Sequence, residues 1–245
     1  MSRLTTILWS EFSGLFGVRK IQALTGNSVV ALPGLGYDPF TSWQYNAAAD
    51  PFMWLRDSLP DLIPGAQIAI YGYDADFNSQ YDPVSIQSIA ISLISALRGI
   101  GRSALSAKPV VFLAHSLGGT ILKQCLIELA NSGQSELFML QTVKTCIFMA
   151  VPNCLPDPSE LAAILTSQHL DGLLKELQAA RNVRYLESMS GMLGGISQAN
   201  GIRLCSGFET VKSGITASKV SRLSTREEVS LRGVVFPCPS RQRPG

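Results

Sequence analysis

The stretch Lys108-Pro-Val-Val-Phe-Leu-Ala-His-Ser-Leu-Gly-Gly119 decides how this chain folds. Five apolar residues in a row, Val110 to Ala114, predict a strand buried on both faces. The run stops at His115-Ser116-Leu117-Gly118-Gly119, and Thr120 to Ala130 reads as an apolar, helix-permissive segment. Strand, small-x-Ser-x-Gly, helix is the pattern of a nucleophile elbow. Such a turn strains the backbone of the serine, so tiny residues are wanted two before and two after it. Ala114 and Gly118 fill those places, with alanine instead of glycine at the first as a mild departure. The bland alternative is an ordinary loop with one serine and two glycines. The strand before it and the helix after it weigh against that.

Working outward, Ser28–Leu32, Gln67–Tyr71 and Val143–Val151 are further buried-strand candidates, and Ile202–Ser206 is a last short one. The first ends in the tight turn Pro33-Gly34-Leu35-Gly36, the second in Gly72-Tyr73-Asp74 and the third in Pro152-Asn153. A short helix is expected to end near Leu59-Pro60. Ser85 reads as an N-cap, because Ile86, Ile89, Ala90, Leu93 and Leu97 then recur on one helical face. Ser159–Leu165 and Leu170–Arg181 read as amphipathic helices, and residues 155–195 as a lid-like insert. Alternating strands and helices predict an α/β fold: a mostly parallel sheet with helices on both faces. In such sheets function gathers at the carboxyl ends of the strands, where the Pro-Gly-Leu-Gly turn, the serine and the Val-Pro-Asn turn all fall.

A chain of 245 residues of this pattern is expected to hold one main domain, at residues 28–210. Residues 1–27 read as an N-terminal leader that packs on the domain or forms a weak amphipathic targeting helix. Residues 211–245 read as a Ser-, Arg- and Pro-containing tail with seven basic and two acidic side chains, most simply a solvated terminus. The net charge of +2 gives no electrostatic case for nucleic acid. The apolar share of 46% is ample for a core, and the low charged share of 16% fits a buried sheet. No apolar run is long enough to span a bilayer. The cysteines, Cys125, Cys146, Cys154, Cys205 and Cys238, are odd in number and contain no Cys-x-x-Cys pair. They point to a reducing, intracellular setting without a disulfide framework or structural zinc. No phosphate-binding Gly-x-x-x-x-Gly-Lys-Ser/Thr and no metal-ligand spacing occurs, and no cofactor is expected. Asp74 and Asp76 read as solvated loop carboxylates.

A serine hydroxyl becomes a useful nucleophile only when a base takes its proton. It also needs N–H donors aimed at the developing oxyanion. In an elbow one donor is the residue after the serine, here Leu117. The other comes from the Pro33–Gly36 turn, where Leu35 or Gly36 has an N–H to give and Pro33 has none.

Val29–Trp43, Trp54-Leu55-Arg56-Asp57, Tyr71-Gly72-Tyr73-Asp74, Ala114–Gly119 and Ile147–Asn153 carry, in this order, a resemblance. Together they resemble the lipase-like serine-esterase domain of the serine-active-site-containing protein family, its fungal members above all. The resemblance implies an α/β-hydrolase fold and hydrolysis of carboxylic esters, of lipids or small molecules. It implies association with mitochondria, the endoplasmic reticulum or their membranes, with cytoplasm as the alternative, and it leaves peripheral membrane contact and the oligomeric state open. Carried over by position, Ser116 matches the nucleophile, and Leu35 and Leu117 match the oxyanion-hole positions. Pro33-Gly34 stands where related esterases often have His-Gly. Phe208-Glu209 falls where a late strand ends in an aromatic residue and a glutamate. Glu209 is therefore the candidate acid, against the alternative of a surface glutamate at a strand end.

The general base is unassigned. The chain has two histidines, His115 and His169. His115 adjoins the serine, with its side chain expected to point away, and reads as structural. His169 precedes the candidate acid and reads as a surface or helix-start residue. In the family the base follows the last strand, in an Asp-His pair before a Val-Lys-Phe-like stretch. Here Glu227–Leu231 runs straight into Arg232–Phe236, with no histidine between. Two functions follow as expectations. One is a serine esterase working through a Ser116 acyl-enzyme. The other is a hydrolase-fold module, truncated or aberrantly joined, that lacks its base and serves in interaction or signalling. Acyl transfer on the same elbow is a remoter third.

Overall fold

Apolar strand runs, each ended by a glycine, a proline or a strained residue, build the framework. A computed structural model of the chain describes residues 3–6, 28–34, 39–45, 52–73, 85–100, 108–151, 180–207 and 229–230. The strands are β1 (Arg3–Thr6), β2 (Ser28–Leu32), β3 (Gln44–Tyr45), β4 (Phe52–Met53), β5 (Gln67–Gly72), β6 (Val110–His115), β7 (Val143–Met149), β8 (Arg203–Gly207) and β9 (Val229–Ser230). The helices are α1 (Trp54–Asp57), α2 (Leu59–Leu62), α3 (Ile86–Ile100), α4 (Leu117–Asn131), α5 (Gln134–Thr142) and α6 (Ala180–Asn200). Seven strands form one sheet in the order β1-β5-β2-β6-β7-β8-β9, and β3 pairs with β4 apart from it. Among the described residues, only β1 runs antiparallel in the large sheet, on β5; the other neighbours are parallel.

Both faces of the sheet are covered, which is why the central strands are apolar throughout rather than alternating. On one face Val30 and Leu32 of β2, Phe112 and Ala114 of β6 and Phe148 of β7 pack under α3, α4 and Leu193 of α6. On the other, Val29, Ala31, Ile68, Ile70 and Leu113 lie under Trp43, Met53, Leu55 and Leu59. Each large side chain so buried contributes about 1.5–3 kcal/mol of transfer free energy. This is the mostly parallel α/β architecture with helices on both faces that the sequence leads one to expect. The Trp-Leu-Arg-Asp stretch forms α1. Leu55 is fully buried there, and the Asp57 carboxylate accepts the N–H of Met53 at 2.8 Å. Hydrogen bonding from Arg56 holds that carboxyl below the usual range.

The strand order places one feature of consequence. From β2 the chain turns to one side, through α1 and α2 on the Trp43 face, to reach β5. It then returns over the opposite face through α3 to β6. The connections leaving β2 and β6 therefore depart to opposite faces. The carboxyl ends of these two neighbours form a topological switch point, the place where open α/β sheets bind ligands.

Some elements differ from their sequence expectation. Arg3–Thr6, inside the expected leader, is an edge strand on β5, with Thr5 opposite Ile70; it gives partners to backbone groups that the β5 edge would otherwise leave bare. Strand β7 ends at Met149 instead of Val151, because Ala150 has φ 50° and leaves the extended region. Helix α4 begins at Leu117, three residues earlier than its apolar run suggests. Residues 180–195 of the expected lid belong to α6, which packs on α4 as the crossover between β7 and β8; residues 155–179 lie outside the described residues. Helix α5 follows from no clear periodicity. The thiols of Cys125, Cys146 and Cys205 are free and buried, and burial pushes those of Cys125 and Cys146 far up, so both stay protonated.

The start of α3 is set as expected. The Ser88 N–H donates to Ser85 Oγ at 3.0 Å, and the Ser85 N–H donates back to Ser88 Oγ at 2.9 Å, a reciprocal box with serine at both positions. Ser85→Ala is expected to cost about 1 kcal/mol. Thermal unfolding should show this as a Tm lowered by about 2–4 °C.

Candidate active site

Ser116 sits between β6 and α4 with φ 50° and ψ −126°. A non-glycine residue at positive φ outside the regular left-handed well costs about 1–3 kcal/mol and persists only where its surroundings impose it. The surroundings are identifiable. The Ser116 N–H donates to the Met149 carbonyl at the end of β7 at 3.0 Å, and the Ser116 carbonyl accepts the Gly119 N–H at 2.9 Å. A serine at a helix N-cap ordinarily turns its hydroxyl onto the first-turn N–H groups. Ser116 occupies the N-cap of α4 and makes no such bond.

The small residues around the serine each have a steric reason. Ala114 is fully buried. A methyl at Gly118 would lie 2.4 Å from the Pro33 carbonyl oxygen and 2.7 Å from that of Leu32. A methyl at Gly119 would meet the Val151 side chain at 2.2 Å. A methyl at Gly34 would lie 3.2 Å from both His115 Nδ1 and Ser116 Cβ. The first turn of α4 is thus wedged against the end of β2 on one side and against Val151 on the other, and the Pro33-Gly34 turn lies over His115 and Ser116. The half-buried His115 packs against that turn.

Leu117 is the first residue of α4 and is buried. N–H groups of a first helical turn have no acceptor within the helix and carry the positive end of its dipole. The Leu117 N–H is of this kind, beside the serine. Leu35, Gly36, Asp74, Pro152, Asn153, His169, Phe208 and Glu209 lie outside the described residues. Their neighbours do not: Gly34 flanks Ser116, Val151 flanks Gly119, and β8 ends at Gly207, two positions before Glu209. The structure therefore brings Ser116, Leu117 and the root of the Pro33–Gly36 turn together at the switch point.

Two features escaped the sequence. Ala150, the other non-glycine residue at positive φ among the described residues, lies one position past β7, and its N–H donates to the Gly207 carbonyl at 2.9 Å. Tyr73, one residue past β5, donates its hydroxyl to the Pro33 carbonyl at 3.0 Å. Neither is signalled by periodicity, since each bond joins segments far apart in the chain. Deeper in α4, the buried Lys123 reaches Ser190 Oγ at 3.4 Å and lies over the Phe148 ring. Among the described residues, no group of three or more His, Cys, Asp or Glu side chains could hold a metal ion. Among them, too, no helix is long and apolar enough to cross a membrane.

No protein-family model matches the chain. It is 30% identical over 108 residues to the protein SERAC1 of Danio rerio, a match covering 42% of this chain and 16% of that protein. Among solved structures it is similar to the lipase BlEst2 of Bacillus licheniformis, at 15% identity and a TM-score of 0.41, over 77% of this chain and 67% of that one. It is also similar to the phospholipase PlaB of Legionella pneumophila, at 16% identity and a TM-score of 0.48, over 76% of this chain and 39% of that one. Likenesses this distant leave the chemistry to be reasoned from the strand order and from the geometry at Ser116.

Proposed function

We propose that this chain is a serine hydrolase of the α/β-hydrolase type, acting on carboxylic esters through Ser116. The observation that carries the reading is the backbone of Ser116: strained, at the switch point, with a hydroxyl not spent on capping α4. In this reading Ser116 Oγ attacks the acyl carbon and passes its proton to a base, a histidine of this chain or solvent hydroxide, whose conjugate acid then protonates the leaving alcohol. The carbonyl oxygen becomes an oxyanion facing the N–H groups of Leu117 and Leu35. The tetrahedral species collapses to the acyl-enzyme while the alcohol leaves with a proton. Water then attacks, releasing the acid and restoring the serine. Glu209, two residues past β8, is the acid of this scheme. Small-molecule and lipid esters are the proposed substrates, in an intracellular setting that suits the free thiols.

A second reading has its own observation. The last described strand, β9, ends at Ser230, and no histidine occurs anywhere after His169. Within these 245 residues, a base placed after β9 has no histidine to supply it. On this reading the chain is a hydrolase-fold module of much reduced turnover, with a role in interaction or signalling.

A fluorophosphonate probe and p-nitrophenyl esters of graded chain length separate the two. Ser116→Ala is expected to abolish labelling and the ester turnover above buffer. Labelling and turnover that are the same in wild type and Ser116→Ala would refute the nucleophile. Folded wild-type protein that neither labels nor turns over would favour the second reading.

A further inference from the structure

We propose that Tyr73 is a positioning residue for the oxyanion side of this site, an inference that rests on the Ser116 reading. Its hydroxyl donates to the Pro33 carbonyl at 3.0 Å, across forty positions of sequence. That same carbonyl oxygen is the nearest atom, at 2.4 Å, to where a methyl on Gly118 would lie at the start of α4. It is therefore gripped from two elements: the Tyr73 hydroxyl beyond β5, and the glycine wedge two residues after Ser116.

The consequence follows from peptide geometry. The peptide joining Pro33 to Gly34 is planar, so its carbonyl and its N–H point in opposite directions. Fixing the carbonyl fixes the whole unit, and with it the point from which the chain sets out toward Leu35. Gly34 alone would not hold that orientation, because glycine accepts many backbone conformations. The turn has further support beneath it, from His115 and Ser116 against Gly34. Only the Tyr73 hydroxyl, among the described contacts of this turn, aligns the carbonyl by a directed hydrogen bond. Burial raises the Tyr73 pKa well above its ordinary value, so the phenol remains a donor at every pH where the protein would be assayed.

Tyr71 supplies an internal control. It is two residues earlier, its ring stacks on that of Tyr73 with centroids 6.0 Å apart, and its hydroxyl also donates to a carbonyl. That carbonyl belongs to Ile89 in α3, away from the turn. Tyr71→Phe and Tyr73→Phe thus remove equivalent groups from one aromatic pair, and only the second should touch the site.

The test measures the rate of Ser116 phosphonylation by a fluorophosphonate in wild type, Tyr73→Phe, Tyr71→Phe and Ser116→Ala. Hydrogen exchange at the Gly34 amide is followed in the same four proteins. Tyr73→Phe is expected to lower the limiting labelling rate by about 10-fold, within the roughly 100-fold that ångström-scale misplacement can cost. Half-saturation by the probe should stay unchanged, and Gly34 exchange should quicken. Tyr71→Phe should label like wild type. Equal slowing in both variants, or wild-type labelling in Tyr73→Phe, overturns the positioning role and leaves the nucleophile standing. Wild-type protein labelled no faster than Ser116→Ala overturns the Ser116 reading and this inference with it. If Tyr73→Phe folds poorly, unchanged Gly34 exchange in its folded fraction still overturns the proposal.

Discussion

Gly118→Ala is expected to destabilise the fold by about 3 kcal/mol, the upper end of what overpacking usually costs. The matching fall in Tm is roughly 6–12 °C. The new methyl would lie 2.4 Å from the Pro33 carbonyl oxygen and 2.7 Å from the Leu32 carbonyl oxygen. Both are backbone atoms at the end of β2, a strand locked between β5 and β6 by parallel ladders on each side. They have nowhere to go without breaking a ladder. Gly119→Ala makes an informative contrast. There the obstacle is the side chain of Val151, with its two γ-carbons 2.2 and 2.6 Å from the new methyl. Val151 is partly exposed, one residue past the strained Ala150. A side chain can be shortened, and Val151→Ala removes both γ-carbons. A double-mutant cycle on thermal or denaturant unfolding should therefore find Gly119→Ala and Val151→Ala coupled by about 1 kcal/mol or more, in the rescuing direction. Gly118→Ala should gain nothing from Val151→Ala. Two glycine variants that each cost under about 0.5 kcal/mol, the range of ordinary surface changes, would show that the wedge is looser than these distances state.

These two glycines also show what the sequence can and cannot convey. A small residue two after the serine is legible, because the elbow pattern demands it. The reason for the next glycine is not, since it depends on where Val151 comes to rest, thirty-two positions on. The same division holds through the fold. Strands β2, β5, β6 and β7 announce themselves, because burial on both faces requires uninterrupted apolar runs. Ser85 announces α3, because a cap and its helical face are adjacent in sequence. Strands β1 and β9 do not, being short edge segments whose pairing comes from a neighbour, β5 or β8, rather than from their own composition. Helix α6 carries Gly191, Gly194 and Gly195, poor helix formers that its packing on α4 through Leu193, with the Tyr185 hydroxyl donating to Gln124, overrides. At the candidate site, the strand-to-helix turn at Ser116 and Leu117 is legible, and the structure sets that turn beside Gly34. The Tyr73 bond to Pro33 was not, because a contact across forty residues leaves no local trace. Leu35 and Glu209 lie outside the described residues and stay with the proposal.

Imidazole added to the wild-type protein is expected to accelerate hydrolysis of p-nitrophenyl acetate by about 10-fold beyond its direct reaction with the ester. That excess should vanish in Ser116→Ala. The reasoning begins from the two histidines. His115 packs against Gly34 under the turn, and His169 precedes the candidate acid in sequence. If neither deprotonates Ser116, the missing contribution is large. Loss of one member of a serine-protease triad costs up to about a millionfold in turnover, and the oxyanion hole and binding retain about 10³–10⁴ over water. A positioned base alone is worth about 10²–10⁴. A diffusing one forfeits most of the proximity advantage, which is why the expected recovery is modest. The pH profile provides the independent check. A histidine base of ordinary pKa, about 6.5, gives a rate that rises and then levels above neutrality. With hydroxide as the base the rate should climb through neutrality without levelling, and with bulk water as the base it should stay flat across the same range. A plateau with its midpoint near 6–7, insensitive to imidazole, would mean that the chain supplies its own base. Substituting His115 and His169 one at a time would then identify which of them it is, and the impaired reading would be abandoned for the active one.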